Sequence, residues 1–295
     1  MKSKLKAIKP EAAKPSKPKI LIYGKPGVGK TWASMDFPGC YYIDTEGGAD
    51  LPRYTAKLEK SGGAYYGIEQ GSLDFGNVIG QLEALATEKH NYKTVVIDSI
   101  TKIFNNEILK EADKLGDKNV FGADKKPAVS MIRKLISWIQ RIDMNIILIA
   151  HEKTAWGVVN GQRAEIGTTF DCYDKLEYEL HLALNIIKLP NKRNAIVKKS
   201  RLEGFVEGEA FEWSYVKFAE KYGQDVIEKE VTQLILATQE QLDELKLLLE
   251  LVKLPEGQID KWLTAANANS WKEMDSIKVE KIIAHIKNQY IPKTN

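Results

Sequence analysis

The chain has 295 residues, 43% of them hydrophobic and 28% charged, with a net charge of +3. That is enough for one sizeable α/β domain with a smaller module appended, in the composition of an ordinary soluble globular protein. Residues 1–19 hold seven lysines and one acid, which leaves the remainder at about −3 and excludes a globally basic body; any nucleic-acid contact must use local patches.

The lysines of the first nineteen residues are interleaved with Pro10, Pro15 and Pro18 rather than an apolar stretch. This reads as a disordered tail over 1–19 and not as a secretory signal. Order is expected to begin at Lys19-Ile20-Leu21-Ile22-Tyr23, a short buried strand. Further strand signals follow at Tyr41–Ile43, Thr94–Ile97 and Asn145–Ala150. Between the last two, Ile132, Leu135, Ile136, Ile139 and Ile142 fall at helical spacing, which predicts a helix over 128–142. Alternating strands and helices imply an α/β fold with a mainly parallel sheet covered on both faces.

The pattern then shifts. Leu182–Leu189 and Ala195–Lys199 flank Pro190–Asn194 and predict a hairpin, and Phe205–Phe218 looks strand-rich around Gly208. From Thr238 the signal is helical, with a Thr238/Gln241 capping-box pattern ahead of Leu242, Leu245, Leu248, Leu249 and Val252, then short helices over 258–266 and 278–290. The expected divisions are 1–19, 20–232 and a small helical unit over 236–295. Cys40 and Cys172 are far apart and offer neither a disulfide framework nor metal-ligand spacing, which fits a reducing, cytoplasmic setting. No apolar run approaches the ~18 residues that span a bilayer, so no membrane partner is expected.

Gly24-Lys25-Pro26-Gly27-Val28-Gly29-Lys30-Thr31 satisfies G-x-x-x-x-G-K-[ST] directly after a buried strand and ahead of a helix expected over 30–37. The glycines let backbone N–H groups converge on phosphate, and the helix start adds partial positive charge. Lys30 would neutralise the β/γ-phosphates and the Thr31 hydroxyl is a hard ligand for Mg²⁺. Residues 24–31, with Trp32 after them, are thus the expected ATP contacts. Val95-Val96-Ile97-Asp98 is apolar until it ends in an acid, and Asp98 is expected to hold magnesium through water.

Tyr42-Ile43-Asp44-Thr45-Glu46-Gly47 closely resembles the segment after the first crossover helix in RecA-like recombinases and KaiC-like ATPases. The resemblance implies that Glu46 is the general base that polarises the attacking water, with Asp44 in a structural hydrogen bond. Ile147-Leu148-Ile149-Ala150-His151-Glu152 resembles the family's fourth core strand, and the resemblance implies that His151 senses the γ-phosphate where many relatives carry glutamine or asparagine. Val197-Lys198-Lys199-Ser200-Arg201 resembles the late strand that supplies trans-acting lysines, so Lys198, Lys199 or Arg201 is the expected intersubunit finger.

The match covers about 20–220 and looks nearest to phage-encoded RecA-like ATPases of single-strand annealing and recombination. It implies a RecA-like P-loop fold, an oligomeric ring or filament, Mg-dependent ATP hydrolysis and action on single-stranded DNA in the cytoplasm of a bacterial host. Alternatives are a helicase or motor of the same core, or an ATP-gated module with little turnover. Lys153, Trp156 and Arg163, around the tight-turn signal Asn160-Gly161, are the expected DNA contacts on a mobile hairpin, with Lys125 and Lys126 as a second contact. The terminal helices resemble a module of phage recombination proteins and are a candidate surface for a single-strand-binding protein.

Overall fold

The computed structural model describes Ala7, residues 15–119 and residues 122–291. Among the described residues nine strands form one sheet: β1 (Lys19–Gly24), β2 (Cys40–Asp44), β3 (Ala64–Tyr66), β4 (Thr94–Asp98), β5 (Asn145–Val159), β6 (Gln162–Asp171), β7 (Leu182–Lys188), β8 (Arg193–Ser200) and β9 (Ala210–Glu212). The α-helices are α1 (Lys30–Ser34), α2 (Pro52–Lys60), α3 (Phe75–Thr87), α4 (Ile100–Leu115), α5 (Lys125–Arg141), α6 (Leu176–Glu179), α7 (Tyr215–Tyr222), α8 (Gln224–Glu228), α9 (Gln239–Leu251), α10 (Gln258–Ala266) and α11 (Ser276–Tyr290).

The strand order is β3-β2-β4-β5-β1-β7-β8-β9, and β3 through β7 are all parallel. This is the expected α/β architecture. Alternate residues of β1 face opposite layers, as pleating demands. Leu21 and Tyr23 join a core with α3, α4 and α5, whereas Ile20 and Ile22 join one with α1, α2, α7 and α8. Burial on both faces is why these strands read as continuous apolar runs. One strand, β5, lies between β1 and β4, so the loops after all three open at the same sheet end.

Several expectations needed correction. Lys17 and Lys19, counted with the tail, are buried: Lys17 Nζ donates to Ile227 O (3.2 Å), and Lys19 Nζ donates to Ile142 O and Met144 O (2.6 Å each). Most of the remaining tail lies outside the described residues. Residues 215–218 are helix rather than strand, because the Ser214 side chain caps α7 through Lys217 N and Phe218 packs on Phe37. The helix after the phosphate loop ends at Ser34, not Phe37.

The hairpin expected after β5's buried half is a long antiparallel ribbon with β6, closed at the expected turn by Asn160 and Gly161, both at positive φ. Helices α9–α11 share an apolar cluster that includes Leu245, Leu248, Met274, Ile283 and Ile286, and the Thr238/Gln241 capping box forms. They touch the sheet-bearing part where Ser137 Oγ and Arg141 donate to Asn267 O and Glu273 O.

Candidate functional site

The parallel strands deliver their last residues to one cavity of about 580 Å³, lined by Gly24, Gly27, Lys30, Thr31, Tyr42, Asp44, Glu46, Asp98, His151 and Glu152 among others. Gly24 opens the loop at φ +153, where a side chain would collide with the carbonyl of Ile186 on the adjacent β7. Gly27 and Gly29 also take positive φ. Lys25 and Pro26 are exposed, Pro26 on the cavity's lining, and Val28 is buried. Lys30 Nζ donates to Gly24 O (2.7 Å) and Lys25 O (3.1 Å). Burial lowers its pKa, while Asp98, Glu152 and Glu46 pull the other way.

Asp98 ends β4, buried, and its Oδ2 accepts from Thr31 Oγ1 (2.5 Å) and Tyr42 OH (2.8 Å). Burial raises its pKa against the pull of those two hydroxyls. The Thr31 hydroxyl and the Asp98 carboxylate are hard oxygen donors in contact, so the pair fits Mg²⁺. Among the described residues no cluster of three or more His, Cys, Asp or Glu is arranged to hold a metal alone. A magnesium ion here would therefore take its other ligands from phosphate and water.

Asp44 explains how the neighbouring acid is presented. Its Oδ1 accepts from Glu46 N and Gly47 N (3.0 Å each), and its Oδ2 accepts from Gly48 N (2.8 Å) and Ala49 N (2.9 Å). Four amides on one buried carboxylate fix the turn that holds Glu46 over the cavity. Thr45 ties the same turn to β4, its Oγ1 accepting from Ser99 N at 2.7 Å. Glu46 is partly exposed, and its Oε1 accepts from Ser99 Oγ (2.6 Å) and lies 3.0 Å from His151 Nε2. Among the described residues no hydrogen bond reaches its Oε2, which leaves that oxygen for water. His151 ends the buried half of β5, its N–H donating to Thr101 Oγ1 (2.9 Å).

Lys30, Thr31, Glu46, Asp98 and His151 thus meet around one space. Trp32 flanks it, 40% exposed, with Lys57 Nζ 4.1 Å and Arg53 5.8 Å from its ring centre and Tyr54 edge-on at 5.9 Å. Lys198, Lys199 and Arg201 are not there. β8 runs antiparallel to β7, so its last residues lie level with the start of β1, away from the loop. Lys199 Nζ is spent on Leu180 O and Arg201 on Tyr178 O.

Of the expected DNA contacts, Lys153 lies 3.4 Å from Asp171 and 3.5 Å from Asp174, while Arg163 stacks on the exposed Trp156 at 5.0 Å. Lys125 and Lys126 are exposed in the first turn of α5.

The sequence reading gave no role to Tyr42, Glu152 or Arg193, and took Ser99 only as a neighbour of Asp98. Ser99 does two jobs, capping α4 through Lys102 N (3.2 Å) and donating to Glu46. The Asp-Ser pair at a strand end was the available signal. Glu152 accepts from Asn185 Nδ2 (2.9 Å) across to β7, a contact that only the sheet order reveals.

A family model described as an AAA domain matches residues 16–202. The chain belongs to this AAA domain family. The matched span holds the phosphate loop and every cavity residue named above, and α9–α11 lie beyond it. No curated protein matches this AAA domain chain. Among solved structures it is similar to the RadB recombinase, with 17% identity, 67% of this chain and 87% of that one covered, and a TM-score of 0.42. It is also similar to a prototypical ATPase from the type III secretion system of pathogenic bacteria, with 13% identity, 92% and 79% covered, and a TM-score of 0.39. Likeness at that level says nothing of substrate or partner.

Proposed function

We propose that this AAA domain protein is a Mg-dependent ATPase of RecA-like type that acts on single-stranded DNA as an oligomer in recombination or repair. The observation that carries the ATPase reading is the convergence of Glu46, Ser99 and His151 on one side of Lys30, with the Thr31–Asp98 pair beside them. Magnesium, when bound, would neutralise charge developing on the phosphates. The chain's own groups do the rest. Loop amides and Lys30 hold the β/γ-phosphates. Ser99 Oγ fixes one oxygen of Glu46, so the other can accept a proton from water in line with the γ-phosphate. His151, whose Nε2 lies 3.0 Å from that carboxylate, would serve beside it as the γ-phosphate sensor.

The cavity sets one cation, Lys30, against Asp44, Glu46, Asp98 and Glu152. That balance favours a further cation from a neighbouring copy during turnover, and so an oligomer. The Trp156–Arg163 pair at the exposed ribbon supports the DNA reading, since an aromatic face with a guanidinium suits base stacking and backbone contact. A phage origin, a cytoplasmic site of action and a single-strand-binding protein on α9–α11 belong to the same proposal. Among the described residues no helix is long and apolar enough to cross a membrane.

The test is ATP hydrolysis measured without DNA, with single-stranded DNA and with duplex, across protein concentrations. Turnover that rises with concentration and with single strands supports the reading. Turnover that is negligible throughout makes the protein an ATP-gated binder.

A further inference from the structure

The phosphate loop has a second flank. A separate cavity of about 410 Å³ is lined by Gly27, Gly29, Lys30, Thr31, Trp32, Arg53, Tyr54 and Arg193. Among the described residues its lining holds three cations and no carboxylate, the reverse of the cavity on the Glu46 side. The two spaces share the loop and divide its charge: acids where metal and water would act, cations on the other side.

Arg193 reaches this flank through the sheet. β7 pairs with β1 in parallel, with Tyr23 level with Asn185, so the β7–β8 turn lies at the loop's end of the sheet. Antiparallel pairing sets Arg193, the first residue of β8, opposite Lys188 just past that turn. Its carbonyl accepts from Trp213 N (2.7 Å), which anchors the backbone. The side chain lies along the loop, where a Cβ on Gly29 would run into Arg193 Nε and Cδ and come 3.1 Å from Cζ. Among the described residues Arg193 forms no ion pair within 4.0 Å, so its charge is not spent inside the chain.

We propose that Arg193 is a nucleotide-binding residue acting in cis, which holds the α-phosphate at the sugar-side end of a nucleoside di- or triphosphate in the second cavity. The inference rests on the nucleotide reading above. With the γ-phosphate beside Glu46 and Asp98 and the β-phosphate in the loop, the chain of phosphates leaves toward the cation-lined flank. A guanidinium there meets an oxygen present in ADP and ATP alike. Its contribution is uniform binding, which changes affinity and KM but not kcat.

The experiment uses the full chain, with MgADP and MgATP affinities measured by calorimetry for wild type, Arg193→Ala and Arg193→Lys, and steady-state turnover beside them. Arg193→Ala is expected to weaken ADP and ATP equally, by about tenfold, with kcat unchanged and partial recovery in Arg193→Lys. Arg193 is exposed, so the melting temperature should not move. Unchanged affinities, or a loss confined to ATP or to kcat, overturn the assignment while the nucleotide reading stands. If wild type binds neither nucleotide, both fall together.

Discussion

The two ends of the parallel sheet treat charge in opposite ways. At the end where the strands finish, Glu46, Asp98 and His151 are partnered by side chains and Lys30 by two carbonyls of the phosphate loop, and all line a cavity. At the other end, Lys17, Lys19, Lys199 and Arg201 donate to carbonyls of their own chain. The first arrangement keeps charge available to a ligand, and the second consumes it in closing the fold. A basic residue is therefore no evidence of a site until it is known to line a cavity.

The contrast can be broken at either end. The largest effect is expected for Glu46→Gln, which keeps the shape but removes the proton acceptor. Turnover should fall by roughly 10²–10⁴ with MgATP affinity unchanged; near-normal single-turnover hydrolysis would move the base elsewhere, with Glu152 next in line. Asp44→Ala leaves four amides without their carboxylate, so a loss of about 3 kcal/mol is expected in chemical denaturation. A loss under about 0.5 kcal/mol would show that the turn is not held this way.

At the opposite end, burial pushes the Lys19 ammonium down to about 7 from its ordinary 10.5. Between those values the unfolded chain binds the extra proton, so stability should climb with pH across that window. Lys19→Met removes the group, and wild type should gain on the variant by about 2 kcal/mol from pH 7 to pH 9. A constant difference across that range would mean the lysine stays charged when folded. The smallest effect is expected for Arg201→Ala, with turnover within about twofold of wild type, because its guanidinium serves Tyr178 O. A collapse of turnover that a Lys30→Ala partner restores in mixed oligomers would make it the intersubunit finger.

Much of this was legible in the residues, for physical reasons. Parallel strands buried on both faces announce themselves as apolar runs, so β1, β2, β4 and the first half of β5 were plain, and the glycine pattern fixed the loop after β1. What stayed hidden depends on pairing. The β7–β8 hairpin was expected, but nothing local says that β7 pairs with β1, which brings Arg193 to Gly29 and carries Arg201 away. Nor does an exposed ribbon differ in composition from a loop, which is why the Asn160-Gly161 hairpin was expected without bounds for β6. Aromatic residues at 215–218 looked like strand, but Ser214 and contacts with Phe37 and Phe205 made them helix.

The most direct test is calorimetry of MgATP binding to the full chain and to Lys30→Ala. Wild type should release heat at a single site, and the variant should bind at least about a hundredfold more weakly, since a charge-assisted contact to phosphate is lost in a partly buried loop. Equal affinity in the two proteins would mean that the space around Lys30 is not where nucleotide binds.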